Sequence, residues 1–387
     1  MNKKTDDDKQ KGMIKNLVLS AGAVGGLYIY GALKASHQAG LWKHENIRTL
    51  WGTSFGSILS VVVSLNCEWE VLDDYLIKRP WQTVFKFNWI NLWKEKGVLC
   101  KQSIKDAFSP LFQASEIPLN ITLADFFAKT GKELHLFVTE LDMDESIFSL
   151  VDINPVTHPE WLVLDAVYAS CCLPLVFNPF EIVSLSNSSC GIGHENNCDK
   201  DMSGNSVAVS KTHVYLDGAI LCAFPFYECL KHSMVREEEV LGIYLNKSEN
   251  VKSRGGSDVG GGDGVGGKLL KNLNLFDFMK VFCSAVFNYT DHSGRDPPKS
   301  EKALLVKLVV DMYERFDLSV IRTEEKRVEY ISKGVEMFSQ FWDEKSRQMV
   351  DSLTEDLSES GHEIICECGV EEDLDDVSGD LDSHRIS

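Results

Sequence analysis

The 387-residue sequence lacks any apolar run long enough to cross a bilayer, and the nearest candidate, 58–65, is far too short. It also lacks a secretory signal, because residues 1–11 are polar and charged and no apolar segment of the required length follows them. The 11 cysteines show no spacing typical of a disulfide framework, which favours reduced thiols. We therefore expect an intracellular, cytoplasmic protein with no signal peptide and no transmembrane helix.

An excess of positive charge is also missing. The chain has 39 basic and 58 acidic residues, for a net charge of −19, and residues 351–387 alone carry −12 of it. Such a surface repels nucleic acid, so we expect no nucleic-acid partner. The pair Cys366 and Cys368 lies in this acidic segment at a spacing that differs from the common zinc motifs, and no metal site is predicted.

The first sixty-odd residues alternate between strand-like and helix-like patterns. A buried strand at 14–20 is followed by a glycine-rich turn at 21–26 and a helix at 27–39. A second strand at 47–51, a sharp turn at 52–56 and an apolar helix at 57–65 repeat the order. This alternation predicts an α/β fold of three layers, α/β/α, with a central and mostly parallel sheet.

The sharpest chemical signal is the G-x-S-x-G pattern of Gly52, Ser54 and Gly56, placed between the second strand and its helix. Small residues on both sides permit a tight turn that exposes the serine hydroxyl. The following helix directs its N-terminus at the serine, where its free N–H groups favour a negative charge. Ser54 is therefore a candidate nucleophile.

Two further segments could complete such a site. The glycine-rich turn at 21–26 can present backbone N–H groups to an oxyanion, and it does not match the G-x-G-x-x-G pattern of dinucleotide-binding turns. Asp217 ends a predicted strand at 213–216 and is followed by Gly218 and Ala219. A carboxylate at the end of a strand is well placed to reach a site there, although such a residue is more often part of a turn.

Taken together, these three segments resemble the patatin-like phospholipase family, which has a glycine-rich oxyanion loop, a G-x-S-x-G turn and a D-G-[GA] motif in that order. The segment 166–174 with Phe177 and Pro179 also resembles a family pattern, and the resemblance covers roughly residues 14–245. It implies Ser54 as nucleophile and Asp217 as its base. It further implies an oxyanion hole made by the backbone of residues Ala21, Gly22, Ala23, Gly25 and Gly26.

The resemblance implies hydrolysis of acyl esters of phospholipids or other lipids, with peripheral association at a membrane surface and without a metal or organic cofactor. The sequence departs from the family in the loop, where Ala21 and Ala23 replace glycines and Gly25 replaces a basic residue. An alternative is therefore a catalytically weak, lipid-binding pseudoenzyme of the same fold. A Ser-His-Asp hydrolase using His232 or His292, and an interaction module acting through the acidic tail, remain further alternatives.

The domain organisation predicted from these patterns has five segments. They are a polar N-terminal extension (1–13), the patatin-like catalytic domain (14–250), a glycine-rich linker (251–268), a helical C-terminal region (269–350) and an acidic, disordered tail (351–387). Within the catalytic domain, aromatic residues at 81, 85, 89 and 93 predict a helix over 80–93. That helix would either face the core or form a lid that faces lipid or lines an acyl-chain site.

Overall fold

The computed structural model describes residues 13–143, 145–186, 209–246 and 299–359. The predicted glycine-rich linker and the tail beyond residue 359 lie outside this part of the chain. Within it, no helix combines the length and the apolarity that a membrane span requires.

A mixed sheet of eight strands forms the centre of the fold, in the order β10-β9-β1-β2-β4-β8-β7 with β5 on β4. Its strands are β1 Asn16–Leu19, β2 Thr49–Thr53, β4 Glu133–Asp142, β5 Ile147–Ile153, β7 Phe180–Ser186, β8 Val209–Asp217, β9 Val240–Asn246 and β10 Leu304–Val309. The strands from β10 to β4 run parallel, whereas β5, β7 and β8 add antiparallel pairs. Two short strands, β3 Gly97–Leu99 and β6 Leu175–Phe177, pair with each other outside this sheet.

Helices cover both faces of the sheet. They are α1 Gly26–Gln38, α2 Phe55–Ser64, α3 Trp69–Lys78, α4 Trp89–Glu95, α5 Lys101–Ala114, α6 Leu123–Thr130, α7 Val163–Ser170, α8 Phe226–Lys231, α9 Met312–Arg315, α10 Ser319–Arg322 and α11 Glu324–Glu359. Neighbouring residues of β2 show the two faces: Trp51 packs with Phe226 of α8, while a side chain at Gly52 would meet Ser60 of α2. The predicted three-layer α/β/α class with a mostly parallel sheet is confirmed.

The register of the sheet aligns the segments predicted to carry chemistry. Because β1 and β2 are parallel neighbours, with Leu19 opposite Gly52, the turns that follow them lie at the same edge. The end of β2 is level with the middle of β4, where Thr53 pairs with Phe137. The next residue of β4, Val138, pairs with Asp217 at the end of β8. The sheet therefore brings the end of β8 to the level of the turn after β2.

The helix predicted over 80–93 is not continuous. A 3-10 turn at Trp81–Thr83 and helix α4 are separated by non-helical residues, and the Asn88 side chain accepts a hydrogen bond from Ile90 N–H to start α4. An N-cap of this kind favours a new helix start over continuation of an earlier one. The core-facing interpretation is also wrong for the second half, since Trp89 and Trp93 are 45% and 86% exposed.

The C-terminal region differs from its predicted helical character. Residues 304–309 form β10, which extends the parallel sheet beside β9, because a short apolar run in that segment fits a buried strand as well as a helix. Helix α11 continues to Glu359, nine residues into the predicted tail. Residues up to Phe341 belong to one compact unit, and 342–387 form a second. The structure describes the second unit as far as the end of α11.

Candidate active site

The turn after β2 holds Ser54 in a strained backbone conformation. Ser54 has φ of 53° and ψ of −120°, a region that residues with a side chain rarely adopt. The two glycines are needed for close approach: a Cβ at Gly52 would lie 2.5 Å from the Gly56 carbonyl oxygen, and one at Gly56 would collide with the Leu19 carbonyl. The spacing of the G-x-S-x-G pattern thus follows from backbone contacts on both sides of the serine.

The Ser54 hydroxyl donates a hydrogen bond of 2.8 Å to Oδ2 of Asp217. The other carboxylate oxygen of Asp217 accepts a 2.9 Å bond from the N–H of Ala219. A side chain at Gly218 would collide with the Phe137 carbonyl, which explains the glycine between them. The structure therefore brings together Ser54 and the D-G-A segment, which lie 163 residues apart.

Burial sets the protonation behaviour of Asp217. Asp217 is 1% exposed, and this desolvation raises the pKa of its carboxyl to about 7. The hydrogen bonds from Ala219 and Ser54 act in the opposite direction and lower the pKa. A carboxylate with a pKa near neutral pH is suited to accept a proton from a hydroxyl and to return it to a leaving group.

A second serine supports the turn. The backbone N–H of Ser54 donates to the Ser170 hydroxyl at 2.9 Å, and this hydroxyl in turn donates to the Phe137 carbonyl at 2.7 Å. The Thr139 hydroxyl donates to the carbonyl of Asp217 at 3.0 Å. Ser170 and Thr139 belong to segments that the resemblance covers, but sequence reasoning assigned them no role. Their roles arise from strand pairing that a single sequence does not show.

Two backbone N–H groups of the loop after β1 make hydrogen bonds within the protein. The Ala21 N–H donates to the Ala223 carbonyl at 2.7 Å, and the Gly26 N–H donates to the carbonyls of Ala23 and Val24. The N–H groups of Ala21 and Gly26 are therefore already hydrogen-bonded and are not available for the predicted oxyanion role. Gly22 is the N-cap and Ala23 the first residue of the 3-10 helix Ala23–Gly25, so helix geometry provides no partner for their N–H groups.

The two remaining glycines of the loop are sites of close packing. A Cβ at Gly26 would overlap the ring of Phe55, the residue after the candidate nucleophile, and one at Gly25 would lie 3.2 Å from Cα of Arg315. Ala23, which replaces a family glycine, has φ of 46°, a left-handed conformation that costs an alanine about 1–2 kcal/mol. The departure at Ala23 is therefore accommodated at the expense of backbone strain.

A cavity of about 190 Å³ opens beside Ser54 and Asp217. Its wall is almost entirely apolar and includes Phe85, Phe87, Trp89, Leu99, Ile104, Val176, Phe177, Phe316, Leu318 and Ile321. Among the residues that line it, Asp217 and Arg315 are the two charged ones. Arg315 lies in α9, in a region for which the sequence suggested no functional residue.

Of the two histidines proposed for the alternative triad hydrolase, the one that the structure describes, His232, does not contact Asp217 in the way a triad requires. His232 packs against Trp51 and His135, with ring centroids 5.7 and 5.5 Å apart, while the two oxygens of Asp217 bind Ser54 and Ala219. His292 lies outside the described residues.

Comparisons with known proteins give the same family as the motifs. Probable lipid hydrolase 463L of Invertebrate iridescent virus 6 is 27% identical over 173 residues, which cover 43% of this chain and 56% of that protein. Uncharacterized protein R571 of Acanthamoeba polyphaga mimivirus is 24% identical over 183 residues, covering 46% of this chain and 58% of that one. The chain thus spans a little over half the length of these relatives.

Among solved structures, VipD from Legionella pneumophila is similar over 86% of this chain and 67% of its own, with 14% identity and a TM-score of 0.40. The family model for patatin-like phospholipase matches residues 17–230, a range that contains the glycine-rich loop, Ser54 and Asp217. Because this match takes in more than half of the sequence, the chain belongs to the patatin-like phospholipase family.

Proposed function

We propose that the protein is a serine lipid acyl hydrolase in which Ser54 and Asp217 act as a catalytic dyad. The observation that carries the proposal is the 2.8 Å hydrogen bond between the Ser54 hydroxyl and the buried Asp217 carboxylate, at the wall of an apolar cavity. The iridescent virus relative, named a probable lipid hydrolase, supports the same class of substrate.

In the mechanism we propose, Asp217 accepts the hydroxyl proton while Ser54 Oγ attacks the ester carbonyl carbon. The N–H groups of Gly22 and Ala23 stabilise the oxyanion of the tetrahedral intermediate, and the N-terminus of α2 adds its dipole. Asp217 then gives the proton to the departing alcohol oxygen. Asp217 next takes a proton from a water molecule, whose oxygen attacks the carbonyl carbon of the acyl-enzyme. The bond from that carbon to Ser54 Oγ then breaks, the fatty acid leaves, and Asp217 returns the proton to Ser54 Oγ.

We propose a phospholipid as the substrate. The aromatic and aliphatic wall suits an acyl chain, and the guanidinium of Arg315 can bind a phosphate through its forked N–H donors. Arg315 is 7% exposed, and it packs on Gly25, the position at which the family has a basic residue. Arg315 thus supplies from α9 the positive charge that the loop itself lacks.

Helix α4, which contributes Trp89 to the cavity wall, offers a surface for membrane contact. Trp89 lines the cavity and is 45% exposed, and the same helix presents Ile90 and Trp93 to solvent at 68% and 86%. Exposed tryptophans of this kind favour the interface of a bilayer. We infer peripheral association in which α4 contacts the lipid surface and a single lipid enters the cavity beside it.

The test of the dyad is release of fatty acid from phospholipid vesicles by the wild type and by Ser54→Ala. We expect the variant to lose at least about 1,000-fold in rate, since the nucleophile of a covalent mechanism is removed. Ser64→Ala is the matched control, because Ser64 is also buried and its hydroxyl donates within α2 to Ser60. If wild type and Ser54→Ala are equally inactive but still bind vesicles, the lipid-binding pseudoenzyme is correct.

Phosphate recognition by Arg315 has its own test, the ratio of rates on a phospholipid and on a neutral glyceride ester. Arg315→Gln should lower phospholipid hydrolysis by about 10–100-fold, the value of a charged hydrogen bond, while the neutral ester is cleaved as before. Arg322→Gln, at the end of α10 and not part of the cavity wall, is the control. An equal loss on both substrates would show that Arg315 supports the fold of the site and does not recognise phosphate.

A further inference from the structure

A second cluster of chemically active side chains lies on the sheet face opposite α2. Glu133 and His135 belong to β4, and His232 follows the end of α8. One potential ligand atom from each lies within 4.8 Å of the other two. His135 pairs with Trp51 of β2, three residues before Ser54, and it lies on the α8 face with Trp51. We propose that Glu133, His135 and His232 form a binding site for a divalent transition-metal ion of the zinc type.

His135 is prepared as a ligand by its surroundings. It is 3% exposed, and its ring stacks on Trp51 with centroids 3.6 Å apart and planes 4° from parallel. Its Nδ1 lies 2.7 Å from Oδ2 of Asp152. Because a carboxylate only accepts hydrogen bonds, Nδ1 carries the proton, and in the neutral ring the lone pair is on Nε2. Carboxylate, histidine and metal in this order are a recurrent arrangement in zinc sites.

The Nε2 atom of His135 is buried and has no hydrogen-bond partner among the described residues. Oε1 of Glu133 lies 3.6 Å from it, which is too long for a hydrogen bond. A lone pair facing a carboxylate is repelled, and the repulsion is removed either by a proton on Nε2 or by a metal cation between the two atoms. In a tetrahedral site with bonds of about 2.0–2.1 Å, neighbouring ligand atoms are about 3.4 Å apart, close to the separation seen here.

His232 completes the donor set. Its ring packs edge-on against His135, and its Nδ1 is a buried nitrogen without a hydrogen-bond partner in the described part of the chain. Two imidazoles and one carboxylate suit Zn²⁺, with a fourth position for water. Asp152, the outer partner that accepts the hydrogen bond of His135, is also held in place. Asn154 Nδ2 donates to the same Asp152 oxygen at 3.0 Å. An ion bound here would tie β4 to the segment that follows α8.

Sequence reasoning missed this cluster because its ligands are scattered. Glu133 and His135 are two residues apart on one strand, and His232 comes 97 residues later. That spacing matches no common zinc motif. Two tertiary contacts bring the ligands and their outer partner together. The antiparallel strand β5 places Asp152 opposite Phe137, and α8 packs on Trp51.

The test is calorimetric titration of metal-free, tag-free full-length protein with Zn²⁺ alone. We expect one ion per chain, with affinity at least 10-fold weaker in His232→Ala. The outer-partner variant Asp152→Asn should bind about 10–100-fold more weakly. His37→Ala is the matched control, since His37 is also a partly buried histidine packed against a tryptophan, and it should bind as the wild type does.

Equal binding by wild type and His232→Ala would overturn the proposal, because the ion would then sit elsewhere, for example on the exposed Cys100. No binding at all would also overturn it and leave a protonated His135 between two carboxylates. The absorption spectrum of Co²⁺-loaded wild type provides a check that needs no variant. Tetrahedral bands without a thiolate charge-transfer band support the site, whereas a thiolate band contradicts it. Neither readout depends on hydrolytic activity.

Discussion

Burial raises the pKa of the Asp217 carboxyl, and with the proposed dyad this predicts how activity depends on pH. Because its pKa is raised to about 7, a large fraction is protonated at pH 6 and cannot accept the Ser54 proton. We expect kcat/KM to rise with pH and to reach half its plateau near pH 7. Rates at constant vesicle composition between pH 5 and 9 measure this. A plateau already reached at pH 5.5 would mean that another group, or an exposed carboxylate, is the base.

The same shift makes a prediction for folding stability. The folded pKa lies above the ordinary value of 3.8, so the folded state holds a proton that the unfolded state releases between about pH 4 and pH 7. The free energy of unfolding is therefore higher at low pH, where the carboxyl is protonated in both states. It falls as pH rises through the folded pKa, by about 4 kcal/mol for a pKa shift of about three units. Asp217→Asn should lack this loss. Denaturant unfolding at pH 5 and pH 8 measures it, and we expect the free energy of unfolding to differ less between the two pH values in the variant than in the wild type.

Local constraints at single residues are where the sequence was most informative. The glycines at 52, 56 and 218 are required by backbone contacts within a few ångströms, and such requirements leave a pattern that can be read from one sequence. Ser54 and Asp217 were predicted as candidate site residues because each lies where a predicted strand ends. Arg315 left no such pattern, since its importance arises from packing on Gly25, 290 positions away in the chain.

Helix α4 illustrates a prediction whose geometry was wrong, while its acyl-chain-lining role stays a prediction. The aromatic spacing at 81, 85, 89 and 93 suggested one helix, but the Asn88 cap starts a new one and leaves Phe85 and Phe87 on a non-helical segment. Phe85, Phe87 and Trp89 nevertheless line the cavity, and Trp93 faces solvent. Spacing alone could not show this, because a break of a few residues changes which face a helix exposes.

The exposed end of α4 gives a test of membrane association. Trp93→Ser removes an 86% exposed ring, so we expect folding to be unchanged and vesicle binding to weaken by about 10–100-fold, the value of burying one large apolar side chain. Sedimentation with phospholipid vesicles measures the change. Val156→Ser alters another residue that is 78% exposed and not part of the cavity wall, and it should bind as wild type. Equal binding by all three proteins would show that another surface contacts the lipid.

For the whole of the first compact unit, the decisive contact is between its two ends. Helix α11 crosses α1 at two glycines: a Cβ at Gly31 would collide with the Ile331 carbonyl, and one at Gly334 with the Tyr28 carbonyl. The rings of Tyr28 and Tyr330 pack beside this crossing with centroids 4.5 Å apart. Neither glycine was recognised from the sequence, because close crossing of distant helices leaves no local signal.

We expect Gly334→Ala to lower the free energy of unfolding by about 1–3 kcal/mol, since the helices must separate to admit a methyl group. Thermal unfolding of the variant beside the wild type measures the loss. The control is Ser339→Ala, which alters an exposed position of the same helix and should unfold at nearly the wild-type temperature. A Gly334→Ala variant as stable as the control would mean that α11 does not pack on α1 this closely in solution.

The cavity wall contributed by Arg315, Phe316, Leu318 and Ile321 has a consequence for how the protein is made. A ribosome adds about 5–20 residues per second, so Ile321 is joined to the chain roughly 5–20 s after Asp217. During that interval the nascent chain already contains the serine and the aspartate but has no closed pocket for a lipid. Synthesis order therefore delays completion of the pocket until nearly the whole of the first unit has been translated.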